Sequence, residues 1–306
     1  VYKNYEIISS IPSPKQETQN RSKVFESGLI REIINKNSDL KDEILVIKLP
    51  AEIIEDDGLL ANFVDNIKVI ADSGAGIILV HDYTNLVSST LSLFNISQKK
   101  ISEFRGSDHK TTQIIEMVLS GYVNKKIVSF LCSSNCKAIG ISGKDGYLIE
   151  SRRSVVAQKS CDDVIDFGFI GEPISVNAEI LLNFLDNNII TVVSPVSFGL
   201  NKVTHILDAD LTAAMIAGEL SARHLIFLTS LGKLSVSGEG LKICTLSKLH
   251  RLHQQNAINK EYDKIIQASK RALENNTKYI HISPSKEYDS TLLTIFTDSH
   301  STKVIL

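Results

Sequence analysis

The run GAGIILVH, residues 74–81, constrains the fold most tightly. Ile77 to Val80 are four consecutive branched aliphatics with no polar face between them. A strand of that kind is buried on both sides, which is the situation of a parallel sheet covered by helices. Glu43–Leu49, Ile189–Ser194, His224–Thr229 and Lys278–Ser283 read the same way, as short apolar strands bounded by polar or turn residues. Between them lie segments with a 3.6-residue apolar period. Ala61–Ser73, for example, places Phe63, Val64, Ile67 and Ile70 on one stripe. Strand and helix alternate almost throughout, and that order predicts an α/β sandwich with a mainly parallel central sheet.

Further helices are expected at Asn85–Phe94, at Asp108–Ser120 with Gly121 ending it, and at Asn124–Ser133. Others are expected at Asn177–Asn187, Asp210–Glu219, Leu246–Gln255, Tyr262–Asn275 and Thr291–Phe296. Lys137–Ser142 and Tyr147–Ser151 read as strands around the turn Gly143–Gly146. Arg152–Asp166 is polar and carries no element in this reading, and Gly168–Pro173 opens the next unit. Gly232–Gly240 reads as a hairpin or loop, and Thr302–Leu306 as a last strand. Residues 1–42 form a polar extension with a helix-like patch at Ser22–Asn35; 43–200 and 201–306 are expected to form two lobes.

The chain has 306 residues, 43% of them hydrophobic and 22% charged, with a net charge of -2. Such a balance gives no general attraction to nucleic acid or to an anionic membrane. No run approaches the roughly 20 apolar residues that cross a bilayer, and no secretory leader opens the chain, so the cytoplasm is the expected compartment. Of the four cysteines, Cys132 and Cys136 have metal-like spacing, but no third ligand stands near them. They and Cys161 and Cys244 read as reduced thiols, and no structural metal is expected.

Several stretches together resemble a known family. They are QIIEMVLSGYVNKKIVSFL at 113–131, AIGISGKDGYLI at 138–149, GFIGEPISVNAEIL at 168–181, DAD at 208–210 and IFTDS at 295–299. In this order they resemble the amino acid kinase superfamily, and within it the N-acetylglutamate kinases, from about Leu45 to the end. The resemblance implies an open αβα sandwich of two lobes. The amino-terminal lobe would bind an acyl-amino acid and form dimer contacts, and the other would bind ATP with Mg2+. The implied reaction is phosphorylation of the side-chain carboxylate of N-acetylglutamate, a step of arginine biosynthesis. The implied assembly is a homodimer, or a ring of six if the amino-terminal segment extends it.

The same resemblance implies catalytic roles for Lys48, at the end of the first strand, and for Asp210. The second phosphate-binding lysine falls on Lys264, with Lys260 as the other candidate. Arg105 would hold the substrate carboxylate, His81 would sit beside the substrate, and Ser230 stands where the nucleotide lobe has a strand-end aspartate. The departures matter as much. Pro50 and Ala51 replace a glycine pair after Lys48, and the glycine run after the second strand reads His81, Asp82, Tyr83, Thr84, Asn85. Ile206 stands in place of a substrate-binding asparagine. Phosphoryl transfer depends on positive charge and backbone donors around the moving group, and one lost donor costs roughly 3–4 kcal/mol in transition-state binding. The sequence therefore supports two readings: a weak or divergent kinase of small acyl-amino acids, or a retired kinase fold that binds a small anion or pairs with an active homologue.

Overall fold

The computed structural model describes residues 40–96, 109–157, 164–199, 202–297 and 299–306. The amino-terminal patch at Ser22–Asn35, Cys161 and Arg105 lie outside the described residues.

The first strand β1 (Ile44–Leu49) leads through Pro50 into a one-turn helix α1 (Ala51–Glu55) and then α2 (Asp57–Asp72). Asp56 caps α2 by accepting from the N–H groups of Gly58 and Leu59 at 2.8 and 2.9 Å. The helix thus begins four residues before its predicted start. Next come β2 (Gly76–His81) and α3 (Asn85–Leu93). The rod that follows is α4 (His109–Glu116), a π-helical stretch Met117–Val123, and α5 (Asn124–Ser133). Gly121 does not end the helix as expected. It sits inside the π-helical stretch, which takes up the conformational change without breaking the rod.

After β3 (Ala138–Ser142), the chain forms a long antiparallel hairpin of β4 (Ile149–Ala157) and β5 (Val164–Val176). This corrects the reading of 152–166 as carrying no element: residues 152–157 and 164–166 are strand, in a polar stretch that apolar periodicity does not mark. The expected strand at Tyr147–Ser151 starts at Ile149, because Tyr147 adopts φ 54° in the turn. Then follow α6 (Ala178–Leu185), β6 (Ile190–Ser194), β7 (Val196–Gly199), β8 (Thr204–Leu207), α7 (Ala209–Glu219) and β9 (His224–Thr229). The chain ends with β10 (Ser235–Val236), β11 (Glu239–Gly240), β12 (Ile243–Thr245), α8 (Leu246–Gln254), α9 (Asp263–Glu274), β13 (Tyr279–Pro284), α10 (Ser290–Phe296) and β14 (Thr302–Ile305). Ser237 and Gly238, both at positive φ, make the tight turn between β10 and β11.

Eight strands form one sheet in the order β12-β14-β13-β9-β1-β2-β6-β3, parallel except between β13 and β14. The strands β4, β5, β8 and β7 close a small barrel beside it. The sheet separates two apolar cores, and the strand period of two assigns residues to each. Leu45, Ile47, Leu49, Ile77 and Leu79 face the core under α2, α5 and α10. Val46, Ile78 and Val80 face the core under α7 and α9. That parity decides where the polar residues at the strand ends point.

Candidate functional site

In parallel sheets the carboxyl ends of the strands gather loops and helix starts, and ligands bind there. Lys48 is the penultimate residue of β1 and has the parity of Val46, so it points to the α7 face. β1 and β2 pair in register, with Lys48 opposite Val80. Asp82 lies two residues past Val80 and therefore shares its face. Both side chains meet the start of α7. Lys48 Nζ lies 2.7 Å from Asp82 Oδ2 and 3.3 Å from Asp210 Oδ1. The lysine is 6% exposed. Burial alone would lower its pKa, but Asp210 and Asp82 more than reverse this and hold the ammonium charged.

Asp208 is the N-cap of α7, accepting from the N–H groups of Asp210 and Leu211 at 3.0 and 3.1 Å. Its other carboxylate oxygen takes Lys264 Nζ at 2.8 Å. Lys264 reaches in from α9 with a side chain that is 73% exposed, and Asp208 chiefly raises its pKa against partial burial. Asp210 serves Lys48, and Asp208 serves Lys264. Burial drives the Asp210 carboxyl up to about 6, opposed by Lys48 and reinforced by Asp208 and Asp82. The set brings together two lysines and three aspartates.

His81 ends β2 with the opposite parity and is wholly buried. Its Nδ1 lies 3.2 Å from the Asp82 carbonyl oxygen, and Nε2 has no partner among the described residues. Desolvation depresses its pKa to about 4, so the ring is neutral at pH 7 and Nδ1–H is the donor. It packs behind the lysine rather than beside it. Ser230 is exposed on the turn after β9, on the same edge of the sheet and outside the ion-pair network. Ile206 is buried in β8, with an apolar side chain where the resemblance calls for an amide.

Two loops border the lysine, and in the second the N–H groups of Asp82, Tyr83 and Asn85 have partners within the chain. Pro50 offers no N–H and turns β1 into α1, which buries Ile53 and Ile54. After β2, the N–H of Asp82 donates to Leu49 O at 2.9 Å and that of Tyr83 to Asp82 Oδ1 at 2.7 Å. The N–H of Asn85, which opens α3, donates to Glu55 Oε1 in a short hydrogen bond, while the Asn85 amide donates to Glu55 Oε2 at 2.7 Å. The Thr84 hydroxyl is buried and has no partner among the described residues. Sequence reasoning singled out neither Asp208 nor Glu55. An acid two residues before Asp210, at a helix start, was the available signal for the first.

The GKDG turn is structural. Asp145 Oδ2 accepts from the Ser142 N–H at 2.6 Å, and Lys144 Nζ binds Glu116 and Thr204, each at 2.7 Å.

A lysine at the end of the first strand of a parallel sheet, facing an aspartate in the first turn of a helix, with a second lysine across that helix start, is a constellation suited to neutralising phosphoryl oxygens. The pattern of the Amino acid kinase family matches residues 43–283. The acetylglutamate kinase of Aquifex aeolicus is 31% identical, over 90% of this chain and 95% of that protein. The acetylglutamate kinase of Campylobacter hominis is 34% identical, over 85% of this chain and 89% of that protein. Among solved structures, N-acetylglutamate synthase from Neisseria gonorrhoeae superimposes with a TM-score of 0.71 at 16% identity. That match covers 90% of this chain but 62% of the synthase. The carbamate kinase of Giardia superimposes with a TM-score of 0.63 at 14% identity, over 86% of this chain and 99% of its own length. These two show a shared fold. The family pattern and the curated relatives show that the chain belongs to the amino acid kinase family.

Proposed function

We propose that this chain is an N-acetylglutamate-kinase-like protein of arginine biosynthesis whose ancestral reaction, ATP-dependent phosphorylation of the N-acetylglutamate side-chain carboxylate, is weak. The observation that carries this reading is the buried Lys48–Asp210 pair at 3.3 Å, with Lys264 across the start of α7. The acceptor carboxylate would attack the γ-phosphorus in line, and ADP would leave with the bond electrons. The chain's part is to hold both reactants and neutralise the oxygens between them. Lys48 supplies a fixed, dehydrated positive charge, and Lys264 a mobile one. Every carboxylate of the set already faces a lysine, so Mg2+ would come as the nucleotide's own counter-ion, bringing the charge that a site with one excess negative group needs.

The acyl-amino acid would lie over residues 43–200, the nucleotide over 201–306. Ser230 stands at the mouth of the nucleotide side, and Arg105 remains the proposed anchor for the acceptor. The exposed Met117 and Tyr122 on the π-helical stretch support self-association through that rod as a dimer or a hexamer. Among the described residues no helix is long and apolar enough to cross a membrane, and a cytoplasmic place accords with the reaction.

A specific observation favours a second reading, a catalytically inactive binding or regulatory subunit, alone or beside an active homologue. Asp82 already occupies Lys48, and the loop after β2 spends its donors on the chain's own carboxylates. Mg-ATP and N-acetylglutamate, with hydroxylamine to trap acyl phosphate, separate the two. Hydroxamate that disappears in Lys48→Ala supports the kinase. A folded protein giving none over a wide substrate range overturns it and leaves the binding subunit.

A further inference from the structure

We infer that Asp82 and Glu55 are built-in anions: they fill the donors that phosphoryl oxygens would take, and so they determine which anions this site admits. The inference rests on the proposed function only in placing the phosphoryl seat at Lys48.

Three donors stand at that seat and along the loop beside it, and each carries a carboxylate from the chain. Lys48 Nζ binds Asp82 Oδ2 at 2.7 Å, and the Tyr83 N–H binds Asp82 Oδ1 at 2.7 Å. One aspartate thus spans an ammonium and a backbone amide, as two oxygens of a phosphoryl group would. The third donor is the N–H of Asn85 at the amino end of α3, where partial positive charge favours an anion. Glu55 takes it with one oxygen and the Asn85 side chain with the other. Thr84, between the two, buries a hydroxyl with no partner among the described residues.

The geometry has a chemical consequence. A free polyphosphate must displace Asp82 from Lys48 and also approach a set that holds three carboxylates against two lysines. Asp82 is 32% exposed at its side chain, so it has room to leave. Lys48 does not: its stem is buried between β1 and α7. Asp82 is therefore the movable partner and Lys48 the fixed one. Neutralising Asp82 frees the ammonium without unbuilding it, since Asp210 still holds it.

The test uses the full chain and inorganic tripolyphosphate without divalent cation, titrated calorimetrically at low ionic strength. Asp82→Asn is expected to bind at least tenfold more tightly than the wild type, and Asp82→Asn/Glu55→Gln more tightly again. Adding Lys48→Met to Asp82→Asn is expected to abolish the gain. Asp82→Ser serves as the second variant, and thermal melts establish that each protein is folded. Affinity that is unchanged or weaker in both Asp82 variants overturns the inference, as does a gain that survives the loss of Lys48. The two proposals fail separately. Tighter tripolyphosphate binding with no hydroxamate from any variant sinks the kinase and keeps the built-in anions. Hydroxamate from the wild type with no gain in the Asp82 variants does the reverse.

Discussion

Lys48→Met removes one charge from a site that was built around it. The lysine is 6% exposed and lies within 3.3 Å of Asp210, which is 8% exposed. Methionine fills most of the same volume, so the packing loss is small. What remains is a buried carboxylate without its cation, beside Asp82 and Asp208. Removing one partner of a buried pair costs about 3–5 kcal/mol. Asp210 has an escape, because it can take up a proton. Its pKa is already at about 6 with Lys48 present, and it rises further without it. Holding it neutral at pH 7 costs at most ~4 kcal/mol relative to an unfolded aspartate, at ~1.4 kcal/mol per pH unit. The expected loss is therefore about 3–4 kcal/mol at pH 7. At roughly 2 °C per kcal/mol, the low end for a chain this long, the melting temperature falls by about 6–8 °C. The loss shrinks as the pH falls towards 5, because the unfolded chain then also approaches protonation. Adding Asp210→Asn should return most of it. Melting curves and urea titrations at pH 5, 6, 7 and 8 on the four proteins of this cycle provide the measurement. A loss under ~1 kcal/mol that does not depend on pH refutes the reasoning, since it would mean that the pair is solvated.

Three other perturbations follow from the same structure. His81 and His224, each depressed by desolvation to about 4, and His281, depressed likewise to about 3, are buried neutral. A histidine whose folded pKa lies below its unfolded value of ~6.5 gives stability that is full above pH ~6.5 and is lost as the pH falls towards 4. Acid melts should show that decline, partly offset below pH 6 by Asp210, and His224→Gln/His281→Gln should flatten it. Gly146 has φ +58°, and a Cβ there would lie 2.6 Å from Ile180 Cδ1. Gly146→Ala should cost about 1–2 kcal/mol in left-handed strain alone, read as a shift in urea midpoint. A Cβ on Gly140 would lie 1.8 Å from Asn124 Oδ1, the amide that ties α5 to Ile141 and Val192. Gly140→Ala should therefore cost about 1–3 kcal/mol from overpacking and more if the Asn124 bonds break, with hydrogen exchange rising first in α5.

Most of the sheet was legible because its strands are buried on both faces. Ile77–Val80 and Leu225–Leu228 carry no polar residue, so nothing competes with the strand signal. The β4–β5 hairpin was not legible. Runs such as Ser151–Arg152–Arg153–Ser154 have no apolar period to read. Gly121 misled for a different reason: glycine is a common helix stop, but in a rod held by Val118, Leu119, Val123 and Ile127 against the core, burial outweighs local propensity. Within the site, Lys48 and Asp210 are reached from strand end and helix start alone. Asp208 and Glu55 are not, because their partners, Lys264 and Asn85, lie 56 and 30 residues away along the chain.

Asp82 falls between these cases. Its direction follows from sequence parity once β1 and β2 are known to be parallel and in register, since Val46, Lys48, Val80 and Asp82 alternate onto one face. What parity cannot supply is the state of the surrounding donors. A glycine turn leaves its N–H groups free for an anion, whereas the turn here is held by Asp82 on Tyr83 and by Glu55 on Asn85. Compared with a glycine turn, the side chains and the carboxylates here make one physical difference. Side chains with a Cβ close the approach, and carboxylates satisfy amides that would otherwise be left unpaired in a partly buried loop, at a cost of about 1–3 kcal/mol each. Placing glycine at position 82 alone would open the approach and free Lys48, but it would leave Asn85 tied to Glu55. Freeing both the ammonium and the loop amides for an outside anion should therefore require changes at both ends of the loop.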